Sequence, residues 1–197
     1  MTKAPVRQRL AIPTYFPPGP LWAALDAAGP VGIAIVNPDS GPGEARSPAY
    51  ATQIKESRSC GIRVIGYVDT DYAARPLADV YCDIARYITW YGVDGIFLDQ
   101  VSANRASLPY YAAASAAIKA GDATALTVLN PGAAAPESFM TAADIVVTFE
   151  DTYDAYTKGY HAPRWIRRYP PERFWHLIHG VPTEKALRRT LSLSKRR

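Results

Sequence analysis

The sequence has little of what usually identifies a protein from its residues alone. Among 197 residues it contains two cysteines, Cys60 and Cys82, which excludes a disulfide-rich secreted scaffold. Both fall in helical patterns and are expected to be buried or half-buried. No apolar run approaches the ~20 residues that a membrane-spanning helix needs, so no membrane association is expected.

The N-terminal segment, MTKAPVRQRLAIPTYF, lacks the apolar core of a signal peptide. As written, the chain is therefore expected in the cytoplasm. A misassigned gene start would hide a signal, and the protein would then be secreted.

Common cofactor and nucleophile motifs are also absent. The turn SGPG at 40–43 is not followed by Lys-Ser or Lys-Thr, and no GxGxxG segment occurs, which argues against a phosphate-binding loop. No GxSxG nucleophile motif is present. His176 and His179 lie three residues apart on a predicted strand, so they point to opposite faces and make a poor zinc site. We therefore expect no cofactor and no metal.

The charge is unevenly distributed along the chain. The net charge is +4, yet residues 164–197 carry ten Lys or Arg against Glu172 and Glu184, and the first 163 residues have an acidic excess of four. A basic end can attract nucleic acid or an anionic polymer. Its charges are not interleaved with aromatic residues in any nucleic-acid motif, so a solvated basic surface is the preferred interpretation.

What the sequence does contain is a regular alternation of β-branched apolar runs and helical patterns. The runs predict seven strands, at 10–16, 31–38, 63–70, 94–100, 125–132, 144–151 and 174–181. Helical patterns separate most of them, at 20–29, 48–60, 76–92, 108–121 and 136–143, and another follows the seventh strand. Continuous apolar runs are typical of a parallel sheet covered on both faces. No linker divides the series, so we predict an N-terminal extension, 1–9, and a single α/β domain, 10–197.

Each predicted strand ends on a polar or aromatic residue. These residues are Tyr15, Asn37, Asp69, Asp99 with Gln100, Asn130, Glu150 with Asp151, and His179. For any one of them, a turn or a helix cap is the simpler interpretation. Parallel strands, however, bring all seven ends to one edge of the sheet, where α/β proteins place their sites. The set therefore predicts a polar cleft that contains carboxylates.

Two of these carboxylates suit the hydrolysis of a glycosidic bond. One carboxyl group must protonate the leaving oxygen, while a second acts as nucleophile or activates water. Asp99 and Glu150, on strands four and six of a barrel, can face each other across the cleft. Tyr15 and Tyr72 lie near strand ends and are candidates to stack on a sugar. Ligation of a divalent cation by the carboxylates, including Asp69, is a chemical alternative that no motif supports.

Six segments together resemble the spherulin-4-like family, and they occur in order between about residues 11 and 181. They are PTYF, VNPDSGPG, GYVDTDYAAR, YGVDGIFLDQ, LNPG and DIVVTFED. The resemblance implies a (β/α)8 barrel of the TIM type. It also implies a glycoside hydrolase that cleaves α-1,4-linked N-acetylgalactosamine in galactosaminogalactan-type polysaccharides, with Asp99 and Glu150 as catalytic acids and Asp69 lining the groove.

The chain departs from the family pattern in two respects. Gln100 stands where the family has a Glu, and an amide cannot transfer a proton, so a carbohydrate-binding protein without turnover is the alternative. An N-acetyl sugar can also supply its own nucleophile. Only seven strand–helix units occur, so the barrel is expected to lack its eighth strand, which would leave two exposed edges. A truncated or frame-shifted chain is the preferred explanation, and a partner or the N-terminal segment that covers the gap is the alternative. The residues expected to bind the polysaccharide or oligosaccharide are Tyr15, Asn37, Asp69, Tyr72, Gln100, Asn130 and His179.

Overall fold

The computed structural model describes residues 8–195, and residues 1–7 of the predicted N-terminal extension lie outside that range. Seven parallel strands form one curled sheet. They pair in chain order, which is the strand order of an α/β barrel. They are β1 Leu10–Thr14, β2 Val31–Val36, β3 Arg63–Asp69, β4 Gly95–Asp99, β5 Leu126–Leu129, β6 Ile145–Thr152 and β7 Phe174–His179. Within the described residues β1 and β7 are the two edge strands, so no eighth strand closes the barrel there.

Within residues 8–195, six α-helices connect or follow the strands. They are α1 Pro20–Ala27, α2 Pro48–Ser59, α3 Leu77–Arg86, α4 Leu108–Lys119, α5 Tyr153–Gly159 and α6 Glu184–Ser194. A π-helical turn, Tyr87–Tyr91, extends α3, and Gly92 ends it in the left-handed conformation with φ 59°. The predicted helix at 136–143 is a short 3-10 turn, Glu137–Thr141. Helix α5 was not predicted, and it begins where the Thr152 hydroxyl accepts a hydrogen bond from the backbone N–H of Ala155.

The sheet is covered on both faces, which is why its strands read as continuous apolar runs. On the outer face, the strands pack against the helices in a large core that includes Trp22, Tyr87 and Tyr111, all fully buried. A smaller cluster fills the concave inner face, formed by Ile35, Ile65, Tyr67, Phe97, Val128, Ile145 and Val147. This inner cluster is the floor beneath the C-terminal ends of the strands.

The first and last elements also meet. Gln8 Nε2, just before β1, donates a hydrogen bond of 2.6 Å to Ser194 Oγ at the end of α6. Cys60 and Cys82 are both exposed, which contradicts the expectation that they are buried or half-buried, because Cys60 caps the C-terminus of α2 and Cys82 lies on the solvent side of α3. None of the helices within residues 8–195 is long and apolar enough to cross a lipid bilayer.

The basic C-terminal part is tied into the fold by several of its arginines. Arg168 pairs with Glu137, and Arg188 pairs with Glu184 one turn earlier on α6. The guanidinium of Arg173 donates to backbone carbonyl oxygens at the β5–β6 connection, including that of Ala143 at 2.6 Å. Part of the positive charge therefore serves intramolecular contacts.

Candidate functional site

The strand ends turn polar side chains toward the concave face because side chains alternate along a strand. The inner floor contains Ile35, Tyr67, Phe97 and Val128 on successive strands. Two residues further along, on the same face, lie Asn37, Asp69, Asp99 and Asn130. The pairing of Asp69 with Asp99 in the β3–β4 register keeps these ends level. The predicted collection of polar residues at one rim is therefore what the topology produces.

Asn130 joins the two carboxylates at the centre of this rim. Its Nδ2 donates one hydrogen bond to Asp99 Oδ1 and one to Glu150 Oε2, both 2.7 Å long. Its Oδ1 accepts from the backbone N–H of Gly132 at 3.0 Å, which fixes the orientation of the amide. Because both carboxylate oxygens contact the same nitrogen, they cannot be farther apart than twice 2.7 Å. Asn130 is 2% exposed, so its amide serves the carboxylates and is shielded from solvent.

Two tyrosines flank the same carboxylates. The rings of Tyr15 and Tyr67 are 5.4 Å apart, centroid to centroid, in an edge-to-face contact. Burial raises the pKa of Tyr67, and the charge of Asp99 and a hydrogen bond to that carboxylate raise it further. Burial of its hydroxyl and the charge of Asp99 also raise the pKa of Tyr15, although 48% of the residue is exposed. Both hydroxyls therefore remain protonated at neutral pH and available as donors.

Tyr67 is not among the site residues predicted from the sequence, because an aromatic residue within an apolar run is typical of a core. Its ring is indeed buried, and it contacts Phe97 within the inner floor. The available signal was its spacing: Tyr67 lies two residues before Asp69, so its hydroxyl points along the inner face toward the rim.

The bulge in β6 turns Glu150 toward Asn130. Ile145 and Val147 belong to the inner floor, so regular alternation would place residues 149 and 151 on that face. The pairing with β7 shifts between Val147 and Phe149, and Glu150 is thereby aligned with Leu177, another inner-face residue. One extra residue in the strand therefore moves every later residue to the opposite face of the sheet.

The loop after β3 has a left-handed conformation that presents Tyr72. Asp71, Tyr72 and Ala73 have φ values of 43°, 53° and 71°, which non-glycine residues rarely adopt. The backbone N–H of Tyr72 donates to the Gln100 carbonyl at 2.8 Å, which connects this loop to β4. Tyr72 is 62% exposed. Strained residues of this kind persist where the surrounding structure holds them, often at functional sites.

Gln100 is itself left-handed, with φ 50°. The Thr70 hydroxyl lies 2.9 Å from its carbonyl and 2.7 Å from that of Asp99, and a bifurcated contact of this kind holds the turn after β4. Burial is the main cause of the raised pKa of Tyr67, and the Gln100 side chain acts in the opposite direction.

The remaining predicted residues lie around this centre. Asn37 Oδ1 accepts a hydrogen bond of 2.8 Å from Gly41 N–H and closes the SGPG turn. Asp69 Oδ1 accepts one of 2.8 Å from Asp71 N–H. His179 is exposed and aligned with Thr152, beyond Glu150. The rim therefore brings Tyr15, Asp99, Asn130 and Glu150 together and leaves Asn37 and His179 at its periphery.

His176, as predicted, faces the side of the sheet opposite to His179. Its ring nitrogens lie 2.8 Å from the hydroxyl of Tyr156 and 3.2 Å from that of Tyr160. Among residues 8–195, no group of three or more His, Cys, Asp or Glu is arranged to hold a metal ion. The chemistry available at the rim is thus that of paired carboxyl groups with tyrosine and amide donors.

Comparison with known proteins places the chain in a family. The family model for Spherulin4, described as spherulation-specific family 4, matches residues 9–195. The chain belongs to spherulation-specific family 4. Spherulin-4 of Physarum polycephalum is 33% identical over 167 residues, which are 82% of this chain and 50% of that protein. This spherulation-specific family 4 chain therefore spans about half the length of the curated relative that it matches.

Solved structures confirm the barrel-type fold of this family member. Sph3 of Aspergillus clavatus, in a crystal structure of its complex with GalNAc, matches with a TM-score of 0.80 at 26% identity. The match covers 96% of this chain and 85% of Sph3. The noncanonic maltogenic α-amylase AmyB of Thermotoga neapolitana matches with a TM-score of 0.56 at 10% identity, over 87% of this chain and 58% of AmyB. The second likeness concerns the fold alone.

Proposed function

We propose that this protein is a glycoside hydrolase that cleaves a polysaccharide containing α-1,4-linked N-acetylgalactosamine, with Asp99 and Glu150 as its catalytic carboxyl groups. The observation that carries the proposal is the pair of rim carboxylates bridged by the buried amide of Asn130. The similarity to Sph3 in complex with GalNAc supports a carbohydrate ligand. No cofactor takes part in this chemistry.

The surroundings of the two carboxylates favour different roles. Asp99 is half-buried and accepts a hydrogen bond from Asn130, which suits the group that attacks the anomeric carbon. Glu150 is exposed at the mouth of the cleft, where it can give a proton to the leaving oxygen and later take one from water. The two oxygens bound to Asn130 lie no farther apart than twice 2.7 Å, which is closer to the ~5–5.5 Å of retaining enzymes than to the ~6.5–9.5 Å of inverting ones.

The rim is open, as binding within a polymer requires. Tyr15 and Tyr72 expose 48% and 62% of their surfaces and are the proposed platforms for sugar rings. Asp69 ends β3 and Gln100 follows β4, and both are proposed to contact sugar hydroxyls or the acetamido group. Asn37 and His179 would reach only a longer oligosaccharide.

The test is the release of reducing ends from an α-1,4-linked N-acetylgalactosamine polymer. Asp99→Asn and Glu150→Gln are each expected to lower kcat by about 10²–10⁴-fold, which is the usual contribution of an acid or base, while the folded state is retained. Asp151→Asn is the matched control, because Asp151 adjoins Glu150 but is aligned with the outward-facing Ile178. Equal activity of the wild type and both carboxylate variants would rule out the proposed roles.

A carbohydrate-binding protein without turnover is the second candidate. It is favoured by Gln100, which stands where the family has a Glu and whose amide cannot transfer a proton. Calorimetry with an N-acetylgalactosamine oligosaccharide, run beside the cleavage assay, separates the two candidates. Binding without product in the wild type, with cleavage gained in Gln100→Glu, would favour the binding protein.

A further inference from the structure

A cluster of buried and half-buried aromatic and polar side chains lies behind β6, on the face opposite to the rim. We call Thr148, Phe149, Tyr156, Tyr160 and His176 the outer cluster. Thr148 Oγ1 lies 3.0 Å from the Tyr160 hydroxyl, and His176 lies between the two tyrosine hydroxyls. The Phe149 ring packs on both tyrosine rings, with centroid distances of 5.0 Å and 4.8 Å. The cluster therefore holds two consecutive residues of β6, Thr148 and Phe149, on the same face of the sheet.

A β-bulge places two consecutive residues of a strand on one face, and the outer cluster contacts both of these residues. In a regular strand Thr148 would face outward and Phe149 inward, so Glu150 would face outward and Asp151 inward. Phe149 is instead aligned with His176 on the outer face, and Glu150 follows on the inner face. Glu150 then lies within 2.7 Å of Asn130 Nδ2, and its backbone N–H donates to the Gly132 carbonyl at 3.1 Å.

The cluster resists a return to regular alternation. Thr148 is 1% exposed and Tyr160 is 8% exposed, so their hydroxyls depend on protein partners for hydrogen bonds. An inward turn of Phe149 would remove its ring from both tyrosines and leave a void between α5 and the sheet. The side-chain network fixes the tyrosine hydroxyls, and the fixed rings hold Phe149.

We propose that the outer cluster positions the catalytic pair by making Glu150, and not Asp151, the second carboxylate of the rim. Its members are positioning residues, since they contact the back of β6 and not the cleft. The kinetic part of this inference rests on the proposed function. The geometric part does not, because it concerns which carboxylate Asn130 binds.

Two variants test the cluster at different strengths. Thr148→Val keeps the shape of the side chain and removes the hydroxyl, whereas Phe149→Ala removes the ring that the tyrosines hold. Thr127→Val is the matched control: Thr127 on β5 is fully buried, and its hydroxyl pairs with that of Ser115 at 3.1 Å, but no bulge occurs in the β5 pairings. If the outer cluster only stabilised the fold, Thr148→Val and Thr127→Val would have equal effects on Asn130 amide exchange and on kcat.

The first readout is nuclear magnetic resonance of the Asn130 side-chain amide, whose two protons each bind one carboxylate. In Phe149→Ala the proton that binds Glu150 is expected to exchange with solvent at least about tenfold faster, while the proton that binds Asp99 stays protected. In Thr148→Val the exchange rate of the same proton is also expected to rise, but by a smaller factor. Unchanged exchange of both protons in folded Phe149→Ala would overturn the inference, whether or not the protein is an enzyme.

The second readout is kinetic. Thr148→Val and Phe149→Ala are expected to lower kcat by roughly ten- to a hundredfold with little change in KM, as small misplacements of catalytic groups do, while Thr127→Val retains kcat. In the Phe149→Ala background, addition of Asp151→Asn is expected to lower the residual rate. Residual activity that depends on Glu150 and not on Asp151 would contradict the selection of one carboxylate over the other. A wild type without cleavage would remove the proposed function and leave the amide readout to decide this inference.

Discussion

The substitution Asn130→Asp tests the centre of the site most directly. It replaces the nitrogen that binds Asp99 and Glu150 at 2.7 Å with a third carboxyl oxygen in a position that is 2% exposed. At that separation and an effective dielectric constant of about 20, each like-charge contact would cost about 6 kcal/mol. This value is an upper bound, because Glu150 is exposed and solvent screens its charge. Three ionised carboxylates are thus excluded, and the new group is expected to hold a proton at neutral pH.

The sign of the resulting pH dependence follows from proton linkage. The new carboxyl group has a raised pKa in the folded protein and an ordinary pKa near 4 in the unfolded chain. Between these values the folded state binds more protons than the unfolded state, so stability falls as pH rises. The slope is about 1.4 kcal/mol per pH unit, which gives a loss of about 3 kcal/mol between pH 5 and pH 7 relative to wild type.

The assay is urea unfolding of wild type and Asn130→Asp across this pH range. Asn104→Asp is the control, because Asn104 is exposed and caps a short 3-10 turn through Oδ1, which Asp can do equally well. The control is expected to follow the wild-type pH profile. The reasoning is refuted if Asn130→Asp also follows that profile, since its carboxyl group would then lie outside the reach of the other two.

Three further predictions concern single side chains. Gly66→Ala is expected to destabilise the fold by about 1–3 kcal/mol in thermal unfolding, because a Cβ at Gly66 would lie 2.5 Å from the ring of buried Tyr87. Gly29→Ala, where nothing lies within 4 Å of the added carbon, should leave stability within about 0.5 kcal/mol of wild type. Gln100→Gly should relieve left-handed strain of about 1 kcal/mol and raise the melting temperature, and a decrease would contradict this account of the turn. Tyr72→Ala should weaken oligosaccharide binding by roughly three- to tenfold with unchanged stability, as measured by calorimetry, and unchanged affinity would remove Tyr72 from the groove.

The sequence alone sufficed for the architecture and for the residues at the rim. Strand existence and order follow from local patterns, since each apolar run is bounded by turn residues and most are separated by amphipathic helices. The rim follows from the same patterns, because parallel strands in chain order place Asp99, Asn130 and Glu150 at one edge whatever the details of packing. Asp99, first a candidate turn residue, gained its significance from the strands beside it.

Only the tertiary structure decided how these residues act together. Asn130 was expected to bind sugar, and its burial between two carboxylates depends on contacts among β4, β5 and β6 that no local pattern encodes. The side of β6 on which Glu150 lies was equally hidden, because a bulge is set by pairing with β7 and by packing against α5. Alternation along the sequence would have turned Asp151 inward. A local pattern can specify which residues reach the edge of a sheet, whereas long-range packing specifies which face they occupy and which atoms they meet.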